Sequence, residues 1–179
     1  LPILKSIQLA VVTETYPPDI NGVARTLQRL VQGLVKRHHQ LQLVRPSASR
    51  SWIKTPSAQI CTFEDLKYSE YLIPSIPIPA YPGQHMGWPA LTELLTIWNS
   101  TKPDVIHVAT EGPLGWAALA AAKHLRIPVI TDFRTNFHEY TNHYGIGWLR
   151  DPIFNSLRFF HNNSDRTLVP TPQIGRAHV

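Results

Sequence analysis

The chain has 179 residues, 43% of them apolar and 16% charged, enough for one domain and too few for two of ordinary size. That composition excludes intrinsic disorder as a description of the whole chain. The formal charge of +5 suits an acidic small molecule, a nucleotide or an anionic membrane surface, and does not by itself indicate nucleic acid.

The chain opens on Leu1-Pro2-Ile3-Leu4-Lys5, with neither Met nor a signal-peptide pattern, so residues are expected to be missing in front of it. Residues 7–13 (IQLAVVT) form a short apolar run, as a buried parallel strand does. Residues 14–22 read as a loop, broken by Pro17-Pro18 and Asn21-Gly22. Val23, Leu27, Leu30, Val31, Leu34 and Val35 then recur at helical spacing, with Arg25, Arg29, Lys36 and Arg37 off that face. Residues 41–44 read as a second strand. Residues 46–82 carry weak signals, with strands expected near 60–63 and 71–78. The single cysteine, Cys61, excludes an internal disulfide and a cysteine-based zinc site, and fits a reducing compartment.

Residues 89–99 look helical, with Pro89 in the first turn. Residues 104–108 are a strand, residues 113–125 a helix rich in small residues, and residues 128–133 a strand. A broken helical stretch is expected over 136–163 and a last strand over 166–169. No apolar run approaches the roughly 20 residues needed to cross a bilayer. The final Ile174-Gly175-Arg176-Ala177-His178-Val179 reads as the translation of a sequencing adapter, so 174–179 are expected to be a non-native tail.

Strands alternating with crossover helices predict an α/β fold, a Rossmann-like parallel sheet with helices on both faces. Ligands of such sheets bind at the carboxyl ends of the strands. Three loops therefore matter. In the first, Asn21-Gly22 stands at a helix start, where free N–H groups favour an anion and a glycine admits a phosphate close to the backbone. A plain turn with Asn21 as helix cap fits the same spacing. In the second, Glu111 and Gly112 precede a helix. There a carboxylate accepts sugar hydroxyls, or simply answers the helix dipole. His107, within the strand before it, reads as a satisfied core histidine. The third, from Asp132 to Tyr144, is dense in polar and aromatic groups. Asp132 or His138 suits proton transfer there, and Arg134 suits phosphate. No metal site is expected, since His138 and His143 are poorly spaced for one helical face and no Asp-x-Asp occurs. The GxGxxG, P-loop and Gly-x-Ser-x-Gly patterns are all absent. A nicotinamide-dependent oxidoreductase is disfavoured further by Val44-Arg45-Pro46, which puts no acid at the end of the second strand.

The stretches TETYPPDINGVARTL, KPDVIHVATEGPLGWAAL, IPVITDFRTNFHEYTNHYGIGWL and DRTLVPTP, in this order, resemble the N-terminal half of a family 4, retaining, two-Rossmann-domain (GT-B) glycosyltransferase. The resemblance is nearest to bacterial GDP-mannose-dependent alpha-mannosyltransferases and to sulfoquinovosyl transferases. It implies that residues 1–173 are an acceptor-side domain whose donor-binding partner domain is absent. It implies transfer of a hexosyl group, mannosyl first, from GDP-mannose or a UDP-sugar to a lipid or glycan acceptor, without an essential metal or other cofactor. Asn21, Gly22 and Val23 match the donor-diphosphate loop. Arg134 stands where many members have the His of a Phe-His-Thr motif; an Arg binds phosphate but is no near-neutral acid–base group, which makes His138 the stand-in. Tyr16, Glu111, Asn136 and Tyr140 would line the acceptor side. The resemblance also implies a cytoplasmic protein in peripheral contact with anionic membrane through Arg25, Arg29, Lys36 and Arg37, with no role for nucleic acid. The competing function is a non-catalytic nucleotide- or sugar-binding Rossmann module.

Overall fold

A computed structural model describes residues 5–47, 58–77, 85–133 and 150–169. In chain order the described elements are β1 (Gln8–Val12), α1 (Gly22–Lys36), β2 (Gln40–Pro46), β3 (Ala58–Phe63), β4 (Leu66–Ile73), β5 (Ser75–Pro77), β6 (His85–Gly87), α2 (Leu91–Ser100), β7 (Val105–Val108), α3 (Pro113–Leu125), β8 (Val129–Asp132), α4 (Arg150–Asn162) and β9 (Arg166–Leu168). Seven of these strands form one sheet in the order β3-β4-β2-β1-β7-β8-β9. Every neighbouring pair is parallel except β3 with β4. The expected Rossmann-like sheet is therefore present. β5 and β6 make a separate two-stranded antiparallel ribbon.

The period of two along each strand divides the core into two layers. Leu9 and Val11 of β1 pack with Leu27, Val31 and Val35 of α1. Ala10 and Val12 face the other way, into a larger cluster with Trp98 of α2, Leu114 and the alanines of α3, and Phe160 of α4. Helices thus cover both faces. In α3, Ala117, Ala118, Ala121 and Ala122 are buried. Gly115 lets the helix start lie directly on the chain at Thr110, whose carbonyl oxygen a Cβ at this position would strike.

Several boundaries depart from the sequence reading. The strand expected at 71–78 begins earlier and is cut by Pro74 into β4 and β5. Pro89 stands ahead of α2 rather than in its first turn, and Ala90 is the N-cap, without a side-chain hydrogen bond. β6 had no signal in sequence. The hairpin joining β3 to β4 turns on Glu64 and Asp65, both left-handed at φ 47° and 66°. Two consecutive left-handed residues are what a two-residue hairpin loop needs, and they are ordinarily Asn-Gly or Asp-Gly. α1 and α3 likewise end on left-handed His38 and Arg126 instead of glycine. At each end a chain reversal closes the last turn, with the N–H of His39 donating to the Leu34 carbonyl and that of Ile127 to the Ala122 carbonyl.

The strand order reverses direction between β1 and β7, which makes their carboxyl ends the switch point of the sheet. Glu14, two residues past β1, holds this point together. Its carboxylate accepts the N–H of Gly87 from β6 and, at 2.8 Å, the N–H of Leu114 in the first turn of α3. Its own N–H donates to Thr110 Oγ1 at 2.8 Å. The N-cap of α3, Gly112, has no side chain to cap with, so Glu14 caps that helix from across the chain. Side chains at Gly112 or Gly87 would run into the carboxylate, the Cβ at Gly87 also falling 2.8 Å from Leu114 Cβ.

Burial raises the Glu14 pKa above the ordinary glutamate value, against the opposing pull of the Gly87, Leu114 and Gly115 N–H groups. A carboxyl whose folded pKa is raised stabilises the fold most when protonated, and that contribution fades as pH rises through the raised value. Compared with Glu14→Gln, the wild type should therefore lose stability as pH climbs from about 4 towards 7, read by urea denaturation at each pH. A wild-type advantage that grows with pH would reverse the assigned sign.

Candidate functional site

β1, β7 and β8 are neighbours and run parallel, so the three loops singled out in the sequence leave one end of the sheet side by side. The first loop is tied to itself. Thr13 Oγ1 donates to the Thr15 carbonyl at 2.8 Å, Thr15 Oγ1 donates to Asp19 Oδ2 at 2.9 Å, and Asn21 Nδ2 donates to Thr15 Oγ1 at 2.7 Å. Asn21 Oδ1 in turn accepts the N–H of Ala24 at 2.8 Å. Asn21 is thus the N-cap of α1 with both ends of its side-chain amide in use. Val23 is half-buried and packs against the layer beneath α1. Gly22 is exposed, and a Cβ added there meets nothing within 4 Å. The packing of the described residues therefore gives Gly22 no reason to be glycine, while Gly87, Gly112 and Gly115 each have one. The first turn of α1 carries no acidic residue.

Tyr16 is buried rather than open. It is 7% exposed, hydrogen-bonds Tyr68, and has the Arg45 guanidinium 6.0 Å from its ring centre. Burial, followed by the neighbouring Tyr68 and Glu70, pushes its phenol well above the usual tyrosine range. Arg45 Nε donates to Glu70 Oε1 at 2.8 Å, a pair in which both side chains are largely buried. Beside them lies a cavity of about 20 Å³ lined in part by Glu14, Tyr16 and Arg45, room for one water and not for a sugar.

In the second loop, Glu111 faces His161 of α4, with Oε1 3.3 Å from Nε2. The other ring nitrogen of His161 lies 2.9 Å from Thr131 Oγ1. His107 Nε2 lies 3.0 Å from Asp132 Oδ2, both buried, as expected of a core histidine. Asp132 is thereby engaged in the sheet and not presented to a ligand. The third loop begins at Phe133, whose N–H donates to the Leu168 carbonyl at 2.9 Å. Arg134, Asn136, His138 and Tyr140 lie outside the described residues, as does the tail 174–179. Glu14 and His161 escaped the sequence reading. A carboxylate two residues past a strand hinted at Glu14; nothing local marked His161.

The basic face of α1 is thinner than its sequence implies. Lys36 Nζ pairs with Glu64 Oε2 at 2.9 Å, and Arg37 Nη1 donates back to the Gly33 carbonyl at 3.0 Å. Arg25 and Arg29 are exposed. Among the described residues no helix is long and apolar enough to cross a membrane, and no three His, Cys, Asp or Glu side chains converge as a metal site would need.

Residues 20–179 match the model of Glycosyltransferase Family 4. The GDP-mannose-dependent alpha-mannosyltransferase of Mycolicibacterium smegmatis is 27% identical over 165 residues, covering 92% of this chain and 42% of that protein. Sulfoquinovosyl transferase SQD2 of Arabidopsis thaliana is 32% identical over 102 residues, covering 57% of this chain and 20% of that protein. The alpha-monoglucosyldiacylglycerol synthase of Streptococcus pneumoniae is 26% identical over 167 residues, covering 92% and 35%. The chain spans less than half the length of these curated relatives. Among solved structures, sucrose-phosphate synthase from Thermosynechococcus elongatus aligns with a TM-score of 0.61 at 12% identity, covering 94% of this chain and 43% of that one, a likeness of fold alone. The family model spans most of the chain, the named relatives agree with it, and the Rossmann-like sheet is the one the resemblance implies: this chain belongs to Glycosyltransferase Family 4.

Proposed function

We propose that residues 1–173 are the acceptor-side domain of a retaining two-domain (GT-B) glycosyltransferase that moves a hexosyl group from a nucleotide-sugar to a lipid or glycan acceptor. Mannosyl is the group proposed first, in keeping with the relatives named for GDP-mannose. One observation carries the reading. Two helix N-termini meet at the switch point, and they differ in charge. The start of α3 already holds the Glu14 carboxylate, with Glu111 beside it. The start of α1 holds no acid and presents Gly22 to open space. An anionic diphosphate is repelled by the first and welcomed by the second. The donor diphosphate accordingly lies on the α1 side, over Gly22 and the N–H groups near it, with Asn21 shaping the loop. Hydroxyl groups of the sugar and acceptor lie on the α3 side, near Glu111.

Catalysis in this reading is charge stabilisation of the departing diphosphate by loop N–H groups and cations. Retention, independence from a metal, and the roles of Arg134 with phosphate and His138 with a proton rest on the family resemblance. So does the acceptor-side placing of Asn136, Tyr140 and the buried Tyr16. A lipid acceptor is consistent with a relative named for diacylglycerol, and Arg25 and Arg29 on the outer side of α1 supply a basic surface for anionic membrane.

The complete reading frame, expressed and purified, is incubated with radiolabelled GDP-mannose or UDP-glucose, a bacterial lipid extract and a chelator. Label should pass into the lipid phase, more from GDP-mannose than from UDP-glucose. A folded product that neither transfers nor hydrolyses either donor would favour a binding module without chemistry. Gly22→Ala should fold as the wild type does, since its methyl meets no protein atom, yet transfer about tenfold more slowly, the worth of one strained hydrogen bond to a charged group. Unchanged transfer would move the diphosphate elsewhere. In vesicle pelleting, an Arg25→Glu/Arg29→Glu variant should lose binding to anionic vesicles by about thirtyfold or more, at ~1 kcal/mol for each basic charge removed. Wild-type protein that pellets equally with neutral vesicles would rule out a contact driven by anionic lipid.

A further inference from the structure

We propose that His161 is a positioning residue that fixes Glu111 as a hydrogen-bond acceptor and leaves one of its carboxylate oxygens open to a hydroxyl of the sugar or acceptor. The inference deepens the function proposed above and rests on it.

His161 stands near the end of α4, between Glu111 of the β7–α3 loop and Thr131 of β8. Its Nε2 lies 3.3 Å from Glu111 Oε1 and its Nδ1 2.9 Å from Thr131 Oγ1. A carboxylate only accepts, so Nε2 carries the hydrogen, and in the neutral ring Nδ1 accepts from the Thr131 hydroxyl. Ser164 Oγ spends its one hydrogen on the His161 carbonyl at 2.7 Å, and Thr167 Oγ1, at 3.2 Å from Thr131 Oγ1, is placed to donate to Thr131, which frees the Thr131 hydrogen for Nδ1. The rings of Phe133 and Phe160 meet the imidazole edge-on, each with its centre 5.2 Å away. Both nitrogens and both flanks of the ring are therefore engaged, and the direction of the Nε2 hydrogen is set.

Glu111 is the other half of the argument. Its side chain is 10% exposed and that of His161 is 11% exposed. Among the described residues His161 is the one hydrogen-bond partner of this carboxylate, which leaves Oε2 without any. Oε2 is not among the polar atoms sealed in the interior, so it stays open to a donor from outside. The Leu114 N–H in the first turn of α3 is already bound to Glu14. Among the described residues no donor serves Oε2, which leaves the place for one from outside. A carboxylate repels an anion, so the group that fits is a neutral hydroxyl. His161 makes no contact with such a ligand itself; it acts through Glu111.

The test uses the complete protein. A glutamine places an amide nitrogen close to the Nε2 position of a histidine, and an asparagine close to the Nδ1 position. His161→Gln therefore keeps a donor for Glu111, and His161→Asn keeps only the Thr131 side. With GDP-mannose and the lipid extract titrated in detergent micelles as probes, His161→Gln should hold kcat/KM within about threefold of wild type, while His161→Asn and Glu111→Gln should each raise the apparent KM for lipid about tenfold or more. The opposite order, with His161→Asn active and His161→Gln impaired, would make the Thr131 contact the important one and overturn the proposal. A second readout needs no turnover. In ¹⁵N-histidine spectra, His161 should show hydrogen on Nε2, and that signature should change in Glu111→Ala. Hydrogen on Nδ1, or a spectrum indifferent to Glu111→Ala, overturns the proposal. Wild-type protein that fails to transfer from GDP-mannose and from UDP-glucose counts against the glycosyltransferase reading, and the spectra then decide the His161–Glu111 pair alone.

Discussion

The carboxylate of Glu14 is where three distant pieces of chain meet. Its partners are Gly87 and Leu114, 73 and 100 residues further on. It links the small ribbon of β5 and β6 to the start of α3, and without it the Leu114 N–H in the first turn of α3 would need another acceptor. The two glycines beside it follow from the same requirement, since the carboxylate fits only where no Cβ intrudes. The cost is burial of an acid against its preference, visible as the raised pKa. The opening of the sheet's ligand-binding end is therefore shaped around one anion that belongs to the protein.

That resident anion decides what else can be held nearby. A helix N-terminus is an anion site only while it is vacant, and at α3 the chain has filled it. α1 stays unfilled because its cap is an uncharged asparagine and its first turn has no acid. On the flank formed by β2 and β4, the Arg45 charge is answered by Glu70 and shielded by Tyr16, so that side contributes rigidity rather than attraction. The result is an electrostatic division at one end of the sheet, an acid-filled helix start on one side and an acid-free one on the other, and it is the ground for the proposed placing of phosphate and hydroxyl.

Legibility in the sequence followed the range of the interaction responsible. β1 and α3 were plain because their signals are local: an unbroken apolar run in one case, and in the other a leading Pro113 with a stripe of alanines. The β3–β4 hairpin was obscured because Glu64 and Asp65 turn the chain without glycine. The ends of α1 and α3 lack glycine for the same reason, with His38 and Arg126 in the left-handed position. β6 is three residues long and is held by Glu14 and by its pairing to β5, neither of which leaves a local pattern. At the site, Asn21 was legible as a cap and Glu111 as a carboxylate at a helix start. Which partner each would find was not, since His161 reaches Glu111 across 50 residues of chain. Only the fold brings such pairs together.

The two-layer core of β1 sets where this chain can change length. Four consecutive residues supply both layers by turns, Leu9 and Val11 to one and Ala10 and Val12 to the other. One residue added or removed within the strand would exchange the two sets, sending the pair shaped for α1 towards α2 and α3 and the reverse. The loops past the strand ends carry no such parity. Evolutionary drift in length is thereby steered out of the strands and into those loops, some of which carry the residues proposed to meet substrate. A lineage of such proteins can alter what it recognises by insertion and deletion while its sheet stays in frame.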